Sequence, residues 1–173
     1  MSNILIVTLE MEEVYQRHFN DLRQQYFPAH ANYLDAHITL FHHLPADVPE
    51  VTATLATAAQ RAAFTLKVAG VVHFGNGVAY RLESPELQAL HHALQQAFEP
   101  WLIRQDKQSL RPHITVQNKV TAFKAQQLHE HLSASFVPFE MQATGLKTWR
   151  YLHGPWKAEK VWPFSDITAS EGV

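Results

Sequence analysis

One short motif occurs twice in this chain, and the repeat constrains the fold more than any other feature of the sequence. His37-Ile-Thr-Leu40 recurs 76 residues later as His113-Ile-Thr-Val116. A second pair of segments is related in the same way: Phe64-Thr-Leu-Lys-Val-Ala-Gly70 resembles Phe139-Glu-Met-Gln-Ala-Thr-Gly145, 75 residues later. The repeat predicts two similar lobes, each with the order strand, helix, hairpin, related by a pseudo-twofold axis. Such an axis would bring the two motif strands together.

Length, charge and composition limit the classes of function. The 173 residues are enough for two small lobes with a shared core, and 46% of them are hydrophobic. The net charge of −2 argues against a broad electrostatic grip on duplex DNA or RNA, which needs a basic face. The absence of cysteine excludes disulfides, zinc fingers and thiol nucleophiles. We predict one bilobal domain over residues 1–167 and a frayed tail over residues 168–173.

The N-terminal segment favours a cytoplasmic location. Ile4–Leu9 is a short apolar run without a basic start or a small-residue cleavage site, so it indicates a strand rather than a signal peptide. No apolar run approaches the roughly 20 residues that span a bilayer. We therefore expect a soluble, monomeric protein that binds neither a membrane nor duplex DNA.

The hydrophobic periodicity alternates between strands and helices and predicts an α+β fold. The predicted strands are Ile4–Leu9, Ala36–Phe41, Phe64–Phe74, Val78–Glu83, Ile114–Val116, Phe136–Leu152 and Lys160–Phe164. The predicted helices are Met11–Tyr26, Pro49–Ala63, Ala122–Leu132 and a segment that begins at Ser84 and continues to Trp101. Gly75-Asn-Gly77 is a strong hairpin signal. We expect mainly antiparallel sheets that line a central cleft, with the helices outside.

The two motifs carry the chemistry that the sequence suggests. Side chains two residues apart on a strand share a face, so His37 and Thr39 should point into the same cleft as His113 and Thr115. Two imidazoles can serve as acid and base on opposite sides of one phosphorus, because imidazole titrates near neutral pH. Threonine hydroxyls can donate hydrogen bonds to the non-bridging oxygens. This chemistry requires no metal and no cofactor.

The surrounding residues resemble a known family. Ala36-His-Ile-Thr-Leu-Phe-His-His-Leu-Pro45 and Arg111-Pro-His-Ile-Thr-Val-Gln-Asn-Lys-Val120 are similar to the paired motifs of the two-histidine (2H) phosphoesterase superfamily, especially its bacterial 2′-5′ RNA ligase or RNA 2′,3′-cyclic phosphodiesterase members. The resemblance implies a bilobal fold with a central cleft. It also implies that His37 and His113 are the catalytic acid and base and that Thr39 and Thr115 bind the phosphate.

Five further residues are candidate substrate contacts. Phe41 and Gln117 lie four residues after the motif histidines, on the same face of a regular strand. Phe41 could stack on a base or pack in the core, and Arg111 could contact a phosphate or remain a solvated loop residue. Lys119 lies at even spacing from His113, near the place where better-studied members of the family have a basic residue. Tyr80 could line the cleft or pack in the sheet.

The predicted reaction is the opening of 2′,3′-cyclic phosphates of RNA ends or nucleotides, and the same site could join a 5′-hydroxyl to a cyclic end to form a 2′-5′ linkage. Three alternatives stay open: the substrate is a small nucleotide such as an ADP-ribose cyclic phosphate, the cleft binds RNA ends without turnover, or the chain is a metal-binding or scaffold domain. We interpret the adjacent pair His42–His43 as surface or cap residues, because neighbouring side chains on a strand do not converge on a metal. Trp156 is interpreted as a strand-end packing residue.

Overall fold

A computed structural model describes residues 3–166, so the predicted tail over residues 168–173 lies outside the described residues. The strands are β1 (Ile4–Met11), β2 (Ile38–Pro45), β3 (Phe64–Phe74), β4 (Gly77–Glu83), β5 (His113–Gln117), β6 (Phe139–Tyr151) and β7 (Trp156–Pro163). The α-helices are α1 (Glu13–Tyr26), α2 (Pro49–Ala58), α3 (Pro85–Phe98) and α4 (Ala122–Ala134). The predicted α+β class is confirmed, and all strand pairs are antiparallel.

The strand order shows the pseudo-twofold symmetry that the repeat predicts. The sheet runs β2-β1-β6-β3-β4-β5, and β7 pairs with β6. When each of β1, β2 and β3 is exchanged with β4, β5 and β6 respectively, the strand order becomes the same order read from the other end. Each repeat is therefore a strand, helix, strand, helix, strand unit, and the two units form one continuous sheet. The predicted hairpin is β3-β4, which joins the two repeats instead of occurring within each.

The related segments of β3 and β6 pair with each other at the centre of the sheet. Leu66 lies opposite Met141, while Phe64 lies opposite Ala143 and Val68 opposite Phe139. Leu66 and Met141 are both fully buried. The pseudo-twofold axis therefore passes near this pair, and the two motif strands lie at equivalent positions on either side of it.

Two glycines hold the β3-β4 turn and the strand beside it. Gly75 has φ +38°, a backbone conformation that costs a residue with a side chain more than it costs glycine. A Cβ atom on Gly77 would lie 2.2 Å from the backbone oxygen of Gln117. A side chain at Gly77 would therefore displace β5, the strand that carries the second motif.

The helices differ from the prediction in two details. Helix α1 begins at Glu13 rather than Met11, and its buried residues are Phe19 and Arg23. Helix α2 ends at Ala58 rather than Ala63, because the amide N–H of Gln60 bonds to the carbonyl of Thr57 and tightens the last turn. Within residues 3–166 no helix combines the length and apolar character needed to cross a bilayer.

Ser84 caps α3 as the sequence predicts, and its loss should be measurable. Its buried hydroxyl accepts a hydrogen bond from the amide N–H of Leu87 at 3.2 Å. Ser84→Ala is expected to lower the free energy of unfolding by about 1 kcal/mol in urea titrations, because an amide N–H at the start of the helix loses its partner. Ser133→Ala, at an exposed position of α4, serves as the control. Equal stability of the two variants would contradict the capping role.

Candidate active site

The two motif strands lie at opposite ends of the strand order, yet they meet in the folded chain. Strand β2 contacts β5, and helix α1 packs against β5 as well. Thr39 from the first motif and His113 from the second line the same cavity, which has a volume of about 270 Å³. The sheet therefore brings its two edges together around one site, as the repeat predicts.

The two motif histidines have the same orientation. Nδ1 of His37 lies 2.8 Å from the backbone oxygen of Asp35, and Nδ1 of His113 lies 2.8 Å from the backbone oxygen of Arg111. A carbonyl oxygen can only accept, so we assign the proton of each neutral imidazole to Nδ1. Nε2 of each ring then carries a lone pair or, when the ring is charged, a second proton. Both rings are thus oriented to exchange a proton through Nε2.

The electrostatic surroundings keep His37 neutral. Burial lowers the pKa of His37 to about 4, and the nearby charges of Arg23, His113 and His42 act in the same direction. The backbone hydrogen bond to Asp35 opposes the shift but is outweighed. His37 is therefore unprotonated at neutral pH and can act as a base. Because His113 contributes to the lowering of its pKa, the His37 imidazole is close enough to the second motif to interact with it electrostatically.

A buried arginine connects the two motifs. Arg23 of α1 is only 4% exposed and donates hydrogen bonds to the backbone oxygen of Leu34 at 3.1 Å and of Thr115 at 2.9 Å. It also donates to Oδ1 of Asn32 at 3.1 Å. Burial lowers the pKa of Arg23 to about 10, against the opposing effect of Asp35, so the side chain is still a cation at neutral pH. Arg23 fixes the chain just before the first motif relative to the strand of the second.

A sequence profile identifies the family. The profile of the 2′-5′ RNA ligase superfamily matches residues 11–155, which include both motifs. The chain belongs to the 2′-5′ RNA ligase superfamily. The resemblance to 2H phosphoesterases that the motifs suggest is thereby confirmed. Among curated proteins, no sequence matches this chain.

Solved structures of low sequence identity share the fold of this superfamily member. TT0787 of Thermus thermophilus is 16% identical with a TM-score of 0.68, covering 95% of this chain and 99% of its own. LigT of E. coli complexed with 3′-AMP is 16% identical with a TM-score of 0.61, covering 96% and 100%. LigT complexed with NADP⁺ is 18% identical with a TM-score of 0.59, covering 95% and 99%. At these identities the likeness concerns the fold alone.

Each motif strand of this superfamily member contains a β-bulge directly after its threonine. Thr39 lies opposite Thr8 of β1, but the neighbouring residue of β1 lies opposite Phe41, so Leu40 is an extra residue. The same register shift leaves Val116 as the extra residue of β5. A bulge breaks the alternation of side chains along the strand, so residues after it no longer share a face with those before it.

The bulges overturn two predicted substrate contacts. Phe41 is fully buried and stacks on His91 with ring centroids 4.8 Å apart, so the prediction that it stacks on a base is wrong. Gln117 is buried as well, and its Oε1 has no hydrogen-bond partner. Both predictions assumed an uninterrupted strand from the histidine onward.

The other three candidates have different positions. Tyr80 is buried and packs edge-on against Phe19 at 5.4 Å, so it belongs to the core rather than to the cleft. Lys119 follows the end of β5 with φ +60°, so the even-spacing argument for it does not hold. Arg111 is exposed and lines the cavities on both sides of His113, so its phosphate contact stays a prediction.

Sequence reasoning missed a cluster of two tryptophans and a lysine beside His37. The ring of Trp156 lies 4.8 Å from the His37 imidazole, so Trp156 does more than pack at a strand end. Trp149 and Lys147 line a cavity of about 150 Å³ together with His37, and Nζ of Lys147 lies 3.9 Å from the Trp149 ring centre. The available signal was the pair of tryptophans on either side of the turn between β6 and β7.

Proposed function

We propose that this protein is a phosphodiesterase that opens 2′,3′-cyclic phosphates of RNA ends or nucleotides by acid–base catalysis between His37 and His113, without a metal. The observation that carries this proposal is the equivalent orientation of the two imidazoles, each held by a backbone carbonyl two residues earlier. Two such groups on either side of one phosphorus are what in-line displacement needs.

The proposed step balances with these two residues alone. A water molecule attacks the phosphorus while His37 Nε2 takes its proton, because the lowered pKa of His37 leaves that lone pair free at neutral pH. The bond from phosphorus to one ribose oxygen breaks, and His113 in its imidazolium form donates its Nε2 proton to the leaving oxygen. The hydroxyls of Thr39 and Thr115 donate to the non-bridging oxygens. The product is a 2′- or 3′-phosphate, according to which ribose oxygen faces His113. If a 5′-hydroxyl takes the place of water as the attacking group, the same ring opening joins two RNA ends.

The comparisons support a nucleotide as the substrate class. Structures of E. coli LigT include complexes with 3′-AMP, with NADP⁺ and with ATP. Each of these ligands joins a phosphate to a ribose, as a 2′,3′-cyclic nucleotide does. The aromatic rings near His37 supply a surface on which the nucleobase of the substrate can stack.

The proposal is tested by incubating the protein with a 2′,3′-cyclic mononucleotide and with a short RNA that has a cyclic end, in buffer containing EDTA. We expect hydrolysis of at least one of them to a phosphomonoester, detected by chromatography. Loss of turnover on adding EDTA would contradict the metal-free mechanism. Absence of turnover with and without added divalent cations would contradict the phosphodiesterase itself.

The pH dependence of kcat/KM should show the depressed pKa of His37. A base with a lowered pKa stays unprotonated as the pH falls, so the acid limb should lie near pH 4 rather than near the 6.5 of an ordinary imidazole. The cyclic diester does not titrate in this range, so the limb reports the free enzyme. Circular dichroism at each pH would show that the protein is still folded. An acid limb centred near 6.5 would contradict the assignment of His37 as the base.

A further inference from the structure

The cavity that Thr39 and His113 share extends beyond the two motifs as a polar pocket. It is the cavity of about 270 Å³ that Thr39 and His113 border, and we call it the dyad pocket after His42 and Asp106. Gln108 and Arg111 are among the other residues that line it. The mechanism proposed above uses His113 and Thr39 but none of the other residues of this pocket.

Asp106 holds His42 in one orientation. The carboxylate is 3% exposed and lies 3.1 Å from Nδ1 of His42. It also accepts hydrogen bonds from the backbone N–H of His42 at 2.9 and 3.0 Å and of His43 at 2.9 Å. Both oxygens of the carboxylate are therefore occupied by N–H donors. Because Nδ1–H of His42 points at Asp106, Nε2 is directed away from it, and 46% of the His42 side chain is exposed.

The wall that carries Asp106 is fixed in place before any ligand binds. The side-chain amide of Gln95 on α3 donates to the backbone oxygens of Asp106 at 3.0 Å and Gln108 at 2.7 Å. Gln88 on the same helix donates to the backbone oxygen of Leu110 at 3.1 Å. A pocket tied to a helix in this way needs little reordering to bind a ligand.

The groups of the dyad pocket favour an anion. Arg111 brings a cation, Gln108 an amide and His42 an imidazole nitrogen that is a donor when protonated. The Asp106 carboxylate keeps its charge, but its oxygens already accept hydrogen bonds from backbone N–H groups. The larger cavity of about 680 Å³, which Arg111 and His113 also border, is instead lined mainly by apolar residues. The polar groups of the dyad pocket therefore suit a phosphate better than this largely apolar cavity does.

We propose that His42, oriented by Asp106, and Arg111 bind a second phosphate of the substrate, one that is not cleaved. The inference rests on the proposed function, since it places this phosphate beside the scissile one. A 2′,3′-cyclic mononucleotide with a 5′-hydroxyl lacks such a group. It is present as a phosphodiester in an RNA end and as a pyrophosphate in an ADP-ribose cyclic phosphate, so the pocket selects for either of these over the simple mononucleotide.

The first arm of the test measures binding and needs no turnover. Titration calorimetry would compare adenosine 2′-phosphate with adenosine 2′,5′-bisphosphate on the wild type, His42→Asn, His42→Gln and His43→Ala. We expect the wild type to prefer the bisphosphate about ten- to hundredfold, as for a hydrogen bond to a charged group. His42→Asn keeps a donor for Asp106 but lacks Nε2, so it should lose the preference. His42→Gln, whose amide reaches the Nε2 position, should retain part of it, and His43→Ala all of it.

The second arm separates the two sources of the phosphate and the two proposals. Ratios of kcat/KM would be measured for a dinucleotide with a cyclic end, an ADP-ribose cyclic phosphate and the cyclic mononucleotide. The preferred substrate should lose its advantage in His42→Asn. Equal binding of the mono- and bisphosphate by the wild type, or equal effects of His42→Asn and His43→Ala, would overturn the pocket assignment even if hydrolysis is seen. A His42-dependent binding preference without turnover of any substrate would sustain the pocket and refute the proposed reaction.

Discussion

Replacement of either motif histidine by alanine is expected to lower kcat for a 2′,3′-cyclic nucleotide by at least about 10²-fold. His37→Ala removes the group that takes the proton from water, and His113→Ala removes the group that gives one to the leaving oxygen. The double variant should be little worse than the poorer single variant, because the two residues act in one step and their effects do not multiply. Single-turnover assays in EDTA would measure the chemical step directly.

The control for this experiment is His92→Ala. His92 is an exposed histidine of α3, so its replacement shows whether removing an imidazole outside the two motifs affects the activity. We expect wild-type kcat for this variant. Activity within a few fold of the wild type in either His37→Ala or His113→Ala would exclude that residue as acid or base. The proposed pairing of the two motifs would then fail, although the family assignment would stand.

The duplicated fold could be predicted from the sequence because two independent signals agree. The recurrence of the His-x-Thr motif defined the repeat, and the alternation of apolar residues placed each copy on a strand. The pairing of β3 with β6 around Leu66 and Met141 shows why this worked: the segments recognised as similar are the ones that face each other at the pseudo-twofold axis. The sequence did not predict that both repeats form a single sheet. The sheet is continuous because β6 pairs with β1 and with β3, and pairing between strands far apart in the sequence does not change the local pattern of hydrophobic residues.

The residues beyond the motifs were harder to predict, for a reason that lies in the bulges. One extra residue in β2 and one in β5 turn Phe41 and Gln117 inward, and nothing in the spacing of hydrophobic residues distinguishes a bulged strand from a regular one. Asp106 was missed because it lies in a short 3₁₀ helix (Arg104–Lys107) and its hydrogen-bond partner, His42, is 64 residues away in the sequence. Arg23 did leave a signal: a charged residue lies four positions after Phe19, on the buried side of α1.

Arg23→Ala is expected to destabilise the protein strongly and to impair catalysis as well. The substitution leaves the backbone oxygens of Leu34 and Thr115 without their donor and removes a cation that lies 4.2 Å from the Phe27 ring centre. Hydrogen bonds to a charged group contribute about 1.5–3 kcal/mol each, so a loss of about 3 kcal/mol in the free energy of unfolding is expected. Since Arg23 sets the position of one motif relative to the other, kcat should fall by about 10²-fold even where the variant is fully folded.

Two variants show whether the loss arises from the contacts of Arg23 rather than from its charge. Arg23→Lys keeps a cation but cannot donate in three directions from a planar group, so its stability should lie between that of Arg23→Ala and the wild type. Arg17→Ala removes an exposed arginine from the same helix, whose ion pair with Glu13 is 4.0 Å long and solvated, and should change little. Urea titrations give the stabilities, and assays well below each midpoint give kcat for folded protein. If Arg23→Ala behaves like Arg17→Ala, Arg23 does not connect the two motifs, and the relative position of the two histidines must be set by the sheet alone.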